Sequence, residues 1–390
     1  MKEANFICLI MNLCIAVLVG ALLPVLPTLT RKSFLFGVKI PSEEQGCPEA
    51  RNMKKQYITV CLIGAVAILA LVIIQYIAIP DITMIAAMYF PLLFVVVQMA
   101  AFIQNWKKAV KLKAARGWKI AASVFADTKS SHSRGNLSEL PWAWYVLSLI
   151  MILASVVIAL FKYPGLPDRI PTHFDFNMQP DAWSDKSLLA VMTVPLINLA
   201  TLLVMWLTGF MLVRAKLQID LQKPELSFAQ HRIYRRRMGH SVGFLTLCIT
   251  IGLALIGLMG IWPDFRVPFW LMMVLLLVPV VPLVVISVMS GQGGCKITPK
   301  TIIEKSTVQP NGPSTRDKPL GRGDDRYWAL GMFYHNPDDP AYLVEDRFGS
   351  NLGFNYSRLP VKIGVALSVL LFVVGYIWIT VLLCAGLLWI

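Results

Sequence analysis

Charge is what this sequence has little of. Only 15% of its 390 residues are Asp, Glu, Lys or Arg, against 56% hydrophobic residues and a mean hydropathy of +0.64. Soluble domains are less than half apolar, so this composition excludes that class and points to a polytopic membrane protein. A disulfide framework is missing as well. Cys8, Cys14, Cys61, Cys248 and Cys384 sit in apolar runs, and Cys47 and Cys295 lie in polar loops. No H-E-x-x-H, C-x-x-C or G-x-S-x-G occurs, and "SGQGGCK" (Ser290 to Lys296) lacks the Gly-Lys-Ser/Thr ending of a phosphate loop. Its glycines read as a flexible exit from a membrane span. The expectation is a non-enzymatic protein with no catalytic residue, metal or cofactor.

Long apolar runs are what the chain does have. Runs of about twenty residues are long enough to cross the hydrocarbon core as helices. Eight are expected: Asn5 to Thr28, Tyr57 to Ile79, Ile82 to Gln104, Trp142 to Phe161, Leu188 to Val213, His240 to Trp262, Pro268 to Ser290 and Ile363 to Ile390. The first is too long for a signal-peptide core, and Pro24 and Pro27 stand where a cleavage site is expected, so it reads as a retained span. "IPDIT" and "PDFRVP" join the second to the third and the sixth to the seventh as tight helical hairpins. The fold class is therefore an all-α polytopic membrane bundle of about eight transmembrane helices, with a short extracellular cap loop and a small cytosolic β-hairpin or meander. Five regions follow: 1–141 with three spans, 142–212 with two spans and the outward loop 163–187, 213–290 with a basic loop and helical hairpin, 291–362 with a linker and the β segment, and 363–390 with the last span.

Lys and Arg resist translocation, so the side that holds them is cytosolic. Of the 36, all but Lys2, Lys162, Arg169, Lys186 and Arg266 fall in loops on one side. This puts both termini and the 163–187 loop outside a cell membrane that the chain crosses many times. The net charge of +14 is a topology signal first and an attraction to anionic lipid headgroups second. "HRIYRRRMGH" abuts a span, so membrane lipid rather than nucleic acid is its expected partner. The span interiors contain no ionisable residue, which weighs against a proton-coupled pump or an intramembrane aspartyl protease. Asn12, Gln75, Gln98 and Asn198 are expected to bond between helices. A facilitator of a neutral or lipid-like solute stays open as an alternative and predicts a cavity lined by Gln98 and Asn198.

In the outward loop, Pro164, Pro167, Pro171 and Pro180 bar helix continuation. A strand over Ile170 to Phe174 and a turn near Gln179 to Ala182 are expected. Trp183 suits the headgroup region. Three uses of its polar residues stand side by side. His173, Asp175, Asp181 and Asp185 could hold a divalent cation, though their spacing fits no standard loop. Asp168 could pair with Arg169 while Asp181 caps a turn. Or Phe174, Phe176 and Trp183 anchor an extracellular peptide that the acids steer. Leu166, Pro167, Ile170, Pro171, His173, Phe174, Pro180, Asp181, Trp183 and Lys186 form the pattern L-P-x-x-I-P-x-H-F, then P-D-x-W and Lys. It resembles the uncharacterised domain of SdpI-type bacterial immunity proteins, which protect producing cells from a secreted toxin and signal to a transcriptional repressor. The resemblance implies an extracellular peptide or toxin and a cytosolic regulator as partners, with His173, Phe174, Asp175, Asp181, Trp183 and Lys186 as the ligand-facing set. Asp175 and Ala182 stand where that family commonly has Asn and Gly.

The last polar stretch, "DDRYWALGMFYHNPDDPAYLVEDRFGSNLGFNYSR", has aromatic and β-branched residues around the turn-forming "HNPDDP" and reads as a small β-hairpin or meander. Asp338 and Asp339 are expected to be solvated. Trp328, Phe333, Tyr334 and Phe348 read as a docking patch. Asp324, Tyr327, Trp328, Gly331, Phe333, Tyr334, Asn336, Pro337, Asp339, Pro340, Val344, Arg347, Gly349 and Asn355 together resemble a second uncharacterised bacterial domain, in whose members an entry like "FLFGVKIPSEE" (Phe34 to Glu44) also occurs. The docking set expected here is Trp328, Phe333, Tyr334, Asn336, Asp339 and Arg347.

Overall fold

The computed structural model describes residues 33–118, 140–175, 178–214, 224–262, 264–299, 322–347 and 353–384, with scattered positions before residue 32. Among them, seven helices are long and apolar enough to cross a membrane, and the strands form small separate hairpins. The chain is a multi-pass membrane protein. The first expected span, Asn5 to Thr28, lies largely outside the described residues. Phe176, Phe348 and Gly349 lie outside them altogether.

Helices α1 (Pro48–Ala78), α2 (Thr83–Ala115), α3 (Trp142–Lys162), α4 (Leu188–Arg214), α5 (Pro224–Ile261) and α8 (Leu359–Cys384) are continuous. The expected seventh span is broken at Val278 and Pro279 into α6 (Phe269–Leu277) and α7 (Val280–Ser290). Proline supplies no N–H to continue the helical ladder. Three helices overrun the apolar stretches that predict them. α1 starts nine residues before Tyr57, α2 runs on past Gln104, and α5 begins well before His240. Packing explains the first two: Ala50, Met53 and Ala109, all in polar-looking sequence, are buried in one cluster with Tyr57 and Phe102.

The helices fall into two compact units. One contains α1, α2 and α8 with the hairpin of β1 (Phe34–Leu35) and β2 (Val38–Lys39) and the strands β5 (Trp328–Ala329), β6 (Phe333–Tyr334), β7 (Leu343–Val344) and β8 (Gly353–Phe354). The N- and C-terminal regions of the sequence thus belong together. The other contains α3 to α7 and the hairpin of β3 (Arg169–Phe174) and β4 (Pro180–Asp185).

Small residues set the helix spacing in the second unit. A Cβ on Gly243 would overlap the Trp144 ring, one on Gly209 the Tyr145 hydroxyl, and one on Gly257 would crowd Val194. Glycines at these three positions let α3, α4 and α5 approach closely, as dispersion-driven packing in lipid requires. The turn after α7 is not a loose exit. Ser290, Gln292, Gly293 and Gly294 are buried, and Gln230 Nε2 of α5 donates to the Ile297 carbonyl at 2.8 Å. Gly294 lies against the Gln230 backbone at φ +84°, a place and a conformation closed to a residue with a Cβ.

Candidate functional site

The two polar segments singled out by sequence use their residues in opposite ways. Between α3 and α4, β3 and β4 pair antiparallel from Arg169↔Asp185 to Phe174↔Pro180, with irregularities around His173. The stretch expected as a turn, from Pro180 on, is a strand. Instead Asp175 and Gln179 bridge the strand ends, Gln179 N donating to Asp175 Oδ1 at 2.7 Å, with Met178 at φ +59°. A two-stranded hairpin leaves one edge of each strand open, which is where Pro171 and Pro180 are tolerated.

The underside of this hairpin is fixed. Ile170 and Leu166 are buried with Ala159, Val191 and Ile261. Met178 is buried with Met259 and Val267, and Phe174 packs on that cluster. Lys186 Nζ donates to the carbonyls of Leu166 (2.8 Å) and Pro164 (3.1 Å), just past the end of α3, where a cation offsets unsatisfied carbonyls. Of the six expected ligand-facing residues, Phe174, Asp175 and Lys186 therefore hold the hairpin together.

The other three face out. His173 is 68% and Asp181 39% exposed, with His173 Nδ1 and Asp181 Oδ1 2.6 Å apart, so Asp181 is oriented by His173 rather than capping a turn. Trp183 is 48% exposed. Strand alternation adds Asp185 to this face, and Arg169 and Thr172 are exposed beside it. Sequence alone marks Asp185 only as a candidate cation ligand and Arg169 only as a partner for Asp168; the period-two pattern of 180–185 is the signal that puts Asp185 on this face. Among the described residues no three His, Cys, Asp or Glu side chains converge as a metal site.

The C-terminal segment buries its motif. Trp328, Tyr334, Asn336, Asp339 and Arg347 are each at most 3% exposed, and Phe333 alone of the expected docking set reaches the surface. Asp339, expected in solvent, is fully buried because Arg322 grips both of its oxygens and the Tyr334 hydroxyl donates to it. Asn355 donates to the Asn336 and Asp339 carbonyls and accepts from Asn336 N, closing the turn. Burial pushes the Asp339 carboxyl up, but the Arg322 hydrogen bonds, with Ala341 N–H and Tyr334, outweigh it and hold the group below its ordinary range.

Arg347 is wholly buried between the rings of Phe34 and Trp328, 5.0 and 4.6 Å from their centroids. It donates to the Gly37 carbonyl and to Asp325, and Asp325 also takes Lys113 of α2. Burial lowers its pKa to about 10 while Asp325 pulls it up, so it remains a cation at neutral pH. Arg31 pairs with the buried Glu345. Gly37 and Gly331, at φ +78° and +72°, lie so close that a Cβ on either would meet the other's backbone. The two glycine turns and the ion pairs lock β1 and β2 to the C-terminal segment. This set of residues does the work of a scaffold.

Gln98 and Asn198 are in different units. Gln98 accepts from Tyr57 and Cys61 of α1, and Asn198 Nδ2 donates to the Thr250 carbonyl of α5 at 3.0 Å.

A profile of a domain of unknown function, DUF1648, matches residues 150–199, which run from within α3 through the hairpin to within α4. No curated protein and no solved structure matches the chain.

Proposed function

We propose that this protein is a non-enzymatic bacterial cell-membrane protein that meets an extracellular, membrane-active peptide on the outward face of its β3–β4 hairpin and confers tolerance to it. The observation that carries the reading is the asymmetry of the hairpin. Its underside is locked to the helix ends, yet Asp181, His173 and Trp183 are left exposed. A rigid face loses little entropy on binding. Asp168, Asp175, Asp181 and Asp185 outnumber Arg169 and Lys186, which suits a cationic peptide, and Trp183 supplies an aromatic anchor. The placement of Lys and Arg supports a hairpin and termini outside and a C-terminal segment inside. There, Phe333 and Tyr342 are exposed aromatics available to a cytosolic regulator.

The test is growth of cells with and without the chain under a secreted cationic peptide toxin. Expression is expected to raise tolerance, and the Asp181→Ala, Trp183→Ala double variant, present at parental level in the membrane, is expected to lose the gain. Unchanged tolerance in that variant would remove the hairpin from the mechanism.

A further inference from the structure

Below the hairpin, and independent of its role, a cavity of about 10 Å³ lies among α3, α4 and α5, lined by Ser155, Val191, Pro195, Asn198 and Leu258 among others. That is about the room the centre of one water molecule needs. Its polar lining is one-sided. Asn198 is 1% exposed, and because its Nδ2 donates to Thr250, the amide orientation leaves Oδ1 as an acceptor with no partner among the described residues. Pro195, inside α4, has no N–H to give to the Val191 carbonyl four residues earlier. The Ser155 hydroxyl is spent on the Ile152 carbonyl at 2.7 Å. Asn198 Oδ1 therefore awaits a donor, beside a residue whose carbonyl Pro195 cannot serve, in a space too small for a solute. Two acceptors also fall short of the oxygen shell of a metal cation.

We propose that this cavity is a hydration site, in which one water molecule donates to Asn198 Oδ1 and to the Val191 carbonyl and makes good the bond that Pro195 breaks. The water thereby ties the outer turns of α4, which continue from β4, to the contact of α4 with α5. Leaving both acceptors dry in a low-dielectric interior carries a penalty that one bridging water removes.

The experiment is X-ray radiolytic labelling of the full chain in nanodiscs made in H₂¹⁸O, read by mass spectrometry. Hydroxyl radicals born from a bound water mark the residues around it. Pro195 and Val191 are expected to gain ¹⁸O, while Ile68 and Val72, equally buried in an apolar cluster of the other unit, stay unmarked. Two variants probe the site differently. Asn198→Leu removes one acceptor and fills the space; Pro195→Ala restores the N–H to Val191. Each is expected to lower labelling at Val191 at least severalfold, and Pro195→Ala to raise the melting temperature. Labelling of the parent chain at Val191 no higher than at Ile68 would overturn the site, as would labelling unchanged in both variants.

Discussion

The β3–β4 hairpin and the C-terminal β segment are both rich in polar and aromatic residues, yet one displays them and the other hides them. The hairpin rests on an apolar underside, so Asp181, His173 and Trp183 are spared from folding. The C-terminal segment has only a small apolar cluster of its own, Trp328, Tyr334, Ala341 and Val344. It coheres through Arg322, Asp339, Arg347 and Asp325, with Glu345 reaching back to Arg31 across 314 positions of sequence. A dense motif can thus mark a fold requirement as readily as a binding face, and burial tells the two apart.

The largest effect that sharpens this contrast is expected from Asp339→Ala, which strands Arg322 against a buried pocket. Breaking a buried pair by removing one partner costs about 3–5 kcal/mol. Tryptophan-fluorescence melting in detergent should fall accordingly, and limited proteolysis should open the C-terminal segment first. Gly37→Ala comes next, since it combines a positive φ with a backbone collision and should cost about 1–3 kcal/mol. Gly165→Ala, next to the hairpin with open space around it, should stay within about 0.5 kcal/mol in the same melt. Equal losses at Gly37 and Gly165 would erase the distinction between the segments.

Acid should act on the C-terminal segment too. The folded Asp339 pKa lies below its unfolded value, about 3.9, so the stability it contributes is complete above that pH and is lost as pH falls through the folded value. Melting temperature should be flat from pH 7 to about 5 on this account and decline below about 4, with Asp339→Asn shallower in the acid limb. Smallest of all should be the stability change of Asp181→Ala or Trp183→Ala, within about 0.5 kcal/mol of the parent, despite the loss of tolerance proposed for the pair.

The membrane spans were legible because hydropathy alone reports them. Their overhangs were not, since Ala50, Met53 and Ala109 sit among charges and only packing makes them core. Strand β3 could be read from Ile170 to Phe174, whereas Pro180 and Asp181 imitate a turn and conceal β4. The exposed triad on the hairpin was within reach of sequence, but its separation from Phe174, Asp175 and Lys186 needed the pairing register. For the C-terminal segment, composition suggested a docking patch because nothing local reveals that Arg347 inserts between Phe34 and Trp328.

Which segment faces the outside can be measured directly. Asp181→Cys and Asp338→Cys, both at exposed positions, can be treated in intact cells with a membrane-impermeant maleimide and compared with the parent chain. The prediction is labelling of Asp181→Cys in intact cells and of Asp338→Cys only after permeabilisation. Labelling of Asp338→Cys in intact cells, with Asp181→Cys protected, would contradict it.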